Sequence, residues 1–64
     1  MIQHFVFTTE EELIEGMRQL QIKFPGLGMA ACKKELLLIC EIDTDEHTYL
    51  ISKLLSTVGG KLVQ

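Results

Sequence analysis

The chain has 64 residues, of which 47% are hydrophobic, and a formal net charge of −3. A chain this short forms one domain, 1–64, and buries only about 60% of the surface that its unfolded form exposes, so partner contacts can add to its stability. No apolar run reaches the roughly 18 residues of a membrane span. The acidic balance, with Arg18 as the only arginine, argues against nucleic-acid binding, which needs clustered cations. We therefore expect a small soluble protein with no membrane segment and no nucleic-acid partner.

The first half of the chain predicts a strand, a helix and a second strand. Residues 2–8 mix β-branched and aromatic side chains, as strands do. Thr9 with Glu12 three residues later is a capping-box pattern and predicts a helix start. The helix should bury one stripe of apolar side chains: Leu13, Ile14, Met17, Leu20 and Phe24. Pro25-Gly26 ends it, and residues 27–32 form the second strand.

The second half repeats this pattern around the longest apolar run of the chain. Residues 35–42 predict a third strand, which follows a weak turn signal at Lys33-Lys34. Residues 43–46 supply a capping side chain and acids for a second helix. Its apolar stripe should be Leu50, Ile51, Leu54, Leu55 and Val58. Gly59-Gly60 stops the helix, and residues 61–64 can form a short closing strand.

The element order β-α-β-β-α-β resembles the ferredoxin-like split βαβ arrangement. That resemblance implies an α+β fold in which a four-stranded antiparallel sheet, with strand order 4-1-3-2, carries two helices on one face. It covers the whole chain but consists of element order alone, without a family motif. Because this fold hosts many unrelated functions, the resemblance implies no activity.

The predicted topology leaves an apolar patch on the face of the sheet without helices. Alternation along the third strand places Leu37, Ile39 and Glu41 on that face, and Leu36, Leu38, Cys40 and Ile42 on the other. In the first strand, Phe5 and Phe7 point one way and Ile2, His4 and Val6 the other, and the sequence leaves open which set meets the helices. Our predicted interface is Leu37, Ile39, Glu41, Phe5 and Phe7.

A second copy of the chain, forming a dimer, or another protein would cover this patch, since large exposed apolar patches mark interaction sites. The alternatives are an uncovered monomer, or a patch covered by long side chains from the edge strands.

The charged residues separate towards two ends of the predicted fold. A candidate anion site at one end consists of Thr8, Thr9, Lys33, Lys34 and Lys61, which combine lysines with a helix N-terminus. Three glutamates, residues 10–12, oppose an anion there. The other end is net acidic, with Glu41 and residues 43–46. It could attract a basic partner or a divalent cation, or its acids could simply cap and solubilise the second helix.

The cysteines and histidines predict neither a disulfide nor a metal site. If Cys32 and Cys40 lie on two strands of a hairpin that turns near Lys33-Lys34, Cys40 is opposite residue 27 or 28, too far along from Cys32 for a bridge. Neither cysteine has metal-ligand spacing to His4 or His47, so no metal and no cofactor are predicted. Free thiols and the lack of a basic cluster before the first apolar stretch favour a cytoplasmic protein without a signal peptide.

No catalytic pattern is present, because neither Ser52 nor Ser56 lies in a nucleophile-elbow motif and the carboxylates lie at exposed helix starts. We expect a non-enzymatic regulatory or interaction module that associates with itself through the open face of its sheet. One alternative is a sensor that binds a small ligand or metal ion at a dimer edge. The other is an inhibitor or adaptor that binds a foreign protein through the same face.

Overall fold

The computed structural model describes all residues, 1–64, and contains six elements. In chain order these are β1 (Ile2–Val6), α1 (Glu10–Lys23), β2 (Gly28–Cys32), β3 (Leu37–Glu41), α2 (Asp45–Ser56) and β4 (Lys61–Leu62). The strands form one antiparallel sheet in the order β2-β3-β1-β4, which is the predicted 4-1-3-2 order viewed from the opposite edge. The ferredoxin-like βαββαβ fold is confirmed.

Side-chain caps fix the start of both helices. In α1, Glu12 N–H donates to Thr9 Oγ1 at 3.2 Å, and Glu12 Oε1 accepts from Thr9 N–H at 3.3 Å, so the predicted capping box forms. In α2, His47 N–H donates to Thr44 Oγ1 at 3.1 Å. Acidic residues fill the first turn of each helix, where their negative charges interact favourably with the positive end of the helix dipole.

Both helices pack on one face of the sheet over a single apolar core. The buried side chains are Phe5, Phe7, Leu13, Leu20, Leu38, Cys40, Ile42, Ile51 and Leu55. Third-strand alternation is therefore as predicted, with Leu38 and Cys40 facing the helices. Neither α1 nor α2 has the length and apolar character needed to cross a bilayer.

Phe5 and Phe7 correct the prediction that they line the helix-free face. Phe5 is fully buried and Phe7 is 4% exposed, both within the core. The Phe7 ring lies close to two glycines: a Cβ on Gly16 would come 2.8 Å from Phe7 Cζ, and a Cβ on Gly60 would come 2.7 Å from Phe7 Cε2. The helix side has room for the ring because these two positions carry no side chain.

The β2–β3 hairpin turns later than predicted. Residues 33–36 form the turn, and β3 begins at Leu37. Leu36 has a φ of +56°, in the left-handed region that non-glycine residues rarely occupy, and its side chain still packs partly against the core. Cys40 consequently pairs with Met29 instead of residue 27 or 28.

The helices bury narrower stripes than predicted. Ile14 is 47% exposed and Leu50 is 43% exposed, although both were assigned to the buried stripe. Each lies about 100° around its helix from a buried neighbour, Leu13 or Ile51, which places it at the solvent side of the stripe. One sheet face and one neighbouring helix leave room for only part of the apolar surface of each helix.

Candidate interaction face of the sheet

The helix-free face of the sheet, called the open face below, consists of three rows of side chains across β1, β2 and β3. The strand register sets the rows: Ile2, Glu41 and Gly28; His4, Ile39 and Ala30; Val6, Leu37 and Cys32. Lys61 extends the third row, because it pairs with Val6. His4, Glu41 and Lys61 are the polar members, and aliphatic or small side chains occupy the rest.

Four aliphatic side chains form a contiguous cluster on the open face. Val6 and Leu37 are direct cross-strand partners, Ile39 follows Leu37 on the same side of β3, and Ile2 lies diagonally from Ile39. Ile2 is 55% exposed and Val6 is 38% exposed, whereas Leu37 and Ile39 are partly buried. The two central strands thus carry apolar side chains on both faces of the sheet.

The structure therefore changes the membership of the predicted patch without removing it. Leu37, Ile39 and Glu41 lie on the open face, and Ile2 and Val6 take the places predicted for Phe5 and Phe7. The signal that could have decided between the two sets is the pair Gly16 and Gly60, which leave space for an aromatic ring. That signal is long-range, so it emerges only once the helices are placed. That this face is an interface stays a prediction.

The candidate anion site has an internal competitor. Both Thr8 N–H and Thr9 N–H donate to Glu12 Oε1, at 3.0 and 3.3 Å. The Glu12 carboxylate also packs against Gly59, where a Cβ would lie 2.6 Å from Glu12 Cδ. An anion would have to displace this carboxylate to reach the two N–H groups.

The predicted lysines of that site do not converge on the helix N-terminus. Lys33 Nζ lies 4.0 Å from Glu10 Oε1, Lys61 belongs to the third row of the open face, and Lys34 forms no ion pair. Anion binding by Thr8, Thr9 and the three lysines stays a prediction.

A shallow groove of about 620 Å³ lies at the acidic end of the fold. Its lining includes Phe24, the turn at residues 25–28, Glu41, Asp43 and His47. Asp43 Oδ1 and His47 Nδ1 are 2.7 Å apart, and this hydrogen bond lowers the pKa of the Asp43 carboxyl. The His47 ring meets Phe24 edge-on, with the ring centroids 6.5 Å apart. The groove offers carboxylates and an imidazole beside an aromatic ring.

No set of three or more His, Cys, Asp or Glu side chains is arranged to hold a metal ion. The two cysteines are free and occupy different environments. Burial raises the pKa of Cys40 to about 11, so its thiol stays protonated at neutral pH. Cys32 lies on the open face at the edge strand β2 and is partly exposed.

Comparisons of the chain with protein-family models, with curated proteins and with solved structures found no match.

Proposed function

We propose that the chain is a non-enzymatic regulatory or interaction module that associates with itself through the open face. The supporting observation is the aliphatic cluster of Ile2, Val6, Leu37 and Ile39 on a face that no helix covers. A solvated face of an antiparallel sheet normally carries polar side chains in alternation with the buried ones. A cytoplasmic location belongs to the same proposal, and the two free thiols support it.

The apolar side chains of the open face are contiguous, unlike the other exposed apolar side chains of the protein. Ile14 and Ile22 project from α1 and Tyr49 and Leu50 from α2, at separate positions around each helix. Scattered apolar side chains of this kind are normal on protein surfaces, whereas a contiguous cluster marks an interaction site. Burial of apolar surface contributes roughly 25 cal/mol per Å², so covering the cluster would favour association.

The test is sedimentation velocity across the micromolar range, with two variants. Val6→Glu places a charge in the cluster at a residue that is 38% exposed in the single chain, so folding should tolerate it. Ile22→Glu makes the same kind of change on the solvent side of α1, at a residue that is 58% exposed. We expect the wild type and Ile22→Glu to associate, and Val6→Glu to do so at least tenfold more weakly. A wild type whose association is unaffected by Val6→Glu would refute the proposal.

A small-ligand sensor is a second candidate, favoured by the groove at the acidic end. The Asp43–His47 pair and the Phe24 ring would accept hydrogen bonds from, and stack against, a small cationic or aromatic ligand. Thermal-shift measurements across a metabolite and metal-ion panel test this idea, because a ligand that binds only the native state raises the unfolding midpoint. Asp43→Asn should abolish such a shift. A panel without any shift would count against the sensor.

A foreign protein is the remaining candidate occupant of the open face, which would make the chain an inhibitor or adaptor. The same cluster supports this alternative, since aliphatic side chains do not distinguish a second copy from another partner. Isolation of a stoichiometric complex that Val6→Glu disrupts and Ile22→Glu leaves intact would favour it over self-association.

A further inference from the structure

The two edge strands of the sheet differ in their protection against pairing. β4 has only two residues and begins with Lys61, and a short edge strand that carries lysine resists edge-to-edge contact. β2 has five residues, Gly28–Cys32, none of them charged and none of them proline. Ala30 and Ala31 are exposed, β2 is an edge strand, and no hydrogen bond from a loop or a side chain reaches its backbone. The β2 edge is thus open to another strand.

The hydrogen-bond pattern determines which backbone groups β2 presents outward. Ile42 N–H donates to Met1 O and Phe7 N–H to Leu36 O, so the even-numbered residues of β3 pair with β1. In an antiparallel sheet such pairs alternate, and the odd-numbered residues 37, 39 and 41 therefore pair with β2. Their partners are residues 32, 30 and 28. Met29 and Ala31 are left with both N–H and C=O groups pointing away from the sheet.

We propose that two copies of this chain pair through β2, antiparallel, around a two-fold axis at Ala30. Met29 of each copy then exchanges two hydrogen bonds with Ala31 of the other, which gives four bonds and joins the sheets into one of eight strands. Ala30 lies directly opposite Ala30 of the second copy, and these two residues form no hydrogen bonds with each other. The Cα atoms of such a pair approach to about 4.5 Å, and the small alanine side chains fit at this distance.

Two further observations favour this register. Shifting it by two residues would bring in Leu27 or Lys33, but Leu27 N–H already donates to Phe24 O and Lys33 O already accepts from Leu36 N–H. The register centred at Ala30 pairs both the N–H and the C=O groups of Met29 and Ala31 in each copy and leaves none of them facing a group that is already engaged.

The charges at the two ends of β2 are complementary under the two-fold axis. Lys33 and Lys34 follow the strand at one end, whereas Glu41 pairs with its other end at Gly28. Antiparallel pairing brings the lysines of each copy to the Glu41 and Asp43 end of the other. Lys34 makes no ion pair within its own chain, so it is available for such a contact. Parallel pairing would instead place the lysines of both copies together.

This association does not rest on the proposed function, because it uses backbone groups at the side of the sheet instead of side chains on the open face. The first test is disulfide trapping in a Cys32→Ser background. Ala30→Cys should form a covalent dimer under mild oxidation, since the two Cα atoms fall within the range of a disulfide. Ala31→Cys is the control: the two copies of residue 31 are offset by two positions, at about 8 Å, beyond the limit of about 7 Å. Equal trapping at both positions, or none, refutes the register.

The second test removes an outward N–H group without touching the open face. Ala31→Pro deletes one donor per copy and spares the ladder to β3, and edge strands tolerate proline at such positions. Each net hydrogen bond is worth about fivefold in association, so sedimentation should show dimerisation weakened roughly 25-fold. Ala31→Lys should act in the same direction and serves if the proline variant does not fold. The proposal is overturned if a folded Ala31 variant associates as strongly as the wild type, or if the wild type stays monomeric. If Val6→Glu abolishes association and the Ala31 variants do not, the association belongs to the open face.

Discussion

Gly16→Ala should destabilise the protein, although alanine is the better helix former. Gly16 is buried in the middle of α1, and an added Cβ would lie 2.8 Å from Phe7 Cζ, 2.9 Å from Phe7 Cε2 and 3.2 Å from Leu55 Cδ2. Carbon atoms in contact normally stay about 3.5–4.0 Å apart, so the Phe7 ring would have to retreat by about 0.7 Å. The same two ring atoms lie 2.7 and 2.8 Å from the Cβ position of Gly60, so the ring is closely packed against both glycines.

The magnitude follows from two opposing effects. Replacing glycine by alanine inside a helix stabilises by about 1 kcal/mol. Overpacking a well-filled core costs about 1–3 kcal/mol, and two ring contacts shorter than 3.0 Å place Gly16 in the upper half of that range. We expect a net loss of about 1–2 kcal/mol in the free energy of unfolding, which lowers Tm by about 4–8 °C per kcal/mol in a domain of this size.

Urea denaturation followed by circular dichroism measures this effect, with two further variants for comparison. Gly28→Ala is the matched control, because a Cβ there meets only Glu41 Cβ at 3.7 Å, an ordinary contact. It should leave stability unchanged or raise it slightly. Phe7→Leu combined with Gly16→Ala should cost less than the sum of the single changes, since the smaller side chain removes the clash. A Gly16→Ala protein that is more stable than wild type would refute the packing explanation.

Three further predictions concern a cap, the thiols and an ion pair. Thr44→Ala removes the hydroxyl that caps α2 and should lower the free energy of unfolding by about 1 kcal/mol, measured in urea. Iodoacetamide at pH 8 should label Cys32 in the folded protein and spare Cys40, whose buried thiol has a pKa of about 11; labelling of both at similar rates would contradict this. Hydrogen bonding to Arg18 lowers the pKa of Glu15 to about 2. The contribution of the Glu15–Arg18 ion pair to stability is therefore complete above pH 4.5 and fades as the pH falls towards 2. Carbon-detected NMR titration should give the lowered pKa of Glu15, and Arg18→Gln should raise it.

The elements whose signals are local could be predicted from the sequence. The Thr9 capping box depends on side chains three residues apart, and the structure shows both of its hydrogen bonds. In the third strand, Leu38 and Cys40 are buried and alternate with side chains on the other face. A run of apolar residues between turn signals is enough to predict such a strand, even when the neighbouring strands are unknown. The strand order then follows, because short connections leave few ways to arrange four strands and two helices.

The features that the sequence did not determine depend on contacts between distant residues. The first strand has apolar side chains on both faces, so alternation cannot orient it, and only packing of Phe7 against Gly16 and Gly60 decides. The hairpin was misplaced because its turn contains no glycine or asparagine, and Leu36 adopts the positive φ instead. Leu37, Ile39 and Glu41 of β3 lie on the open face as predicted. From β1, for which the sequence left two sets open, Ile2 and Val6 lie there and Phe5 and Phe7 do not.

The size of the open face links the two proposed contacts. The protein exposes 4190 Å², which is about what a monomer of 7.3 kDa exposes. Three five-residue strands, each about 17 Å long, and the two-residue β4, all spaced at about 4.8 Å, give a face of only about 300 Å² in projection, well below the roughly 800 Å² per partner of a standard interface. Face-to-face contact between single chains should therefore be weak.

Pairing through β2 would double the available face, because the rows of the two copies become continuous. In the proposed register, Cys32 and Leu37 of one copy share a row with Gly28 and Glu41 of the other, so the two aliphatic clusters lie on one surface. Association through the open face should then require pairing through β2, whereas pairing through β2 does not require the open face. Ala31→Pro is accordingly expected to weaken both contacts. Val6→Glu should leave the dimer joined through β2 intact and weaken, at least tenfold, only the further association of such dimers through the open face, which sedimentation separates as the step from dimer to tetramer.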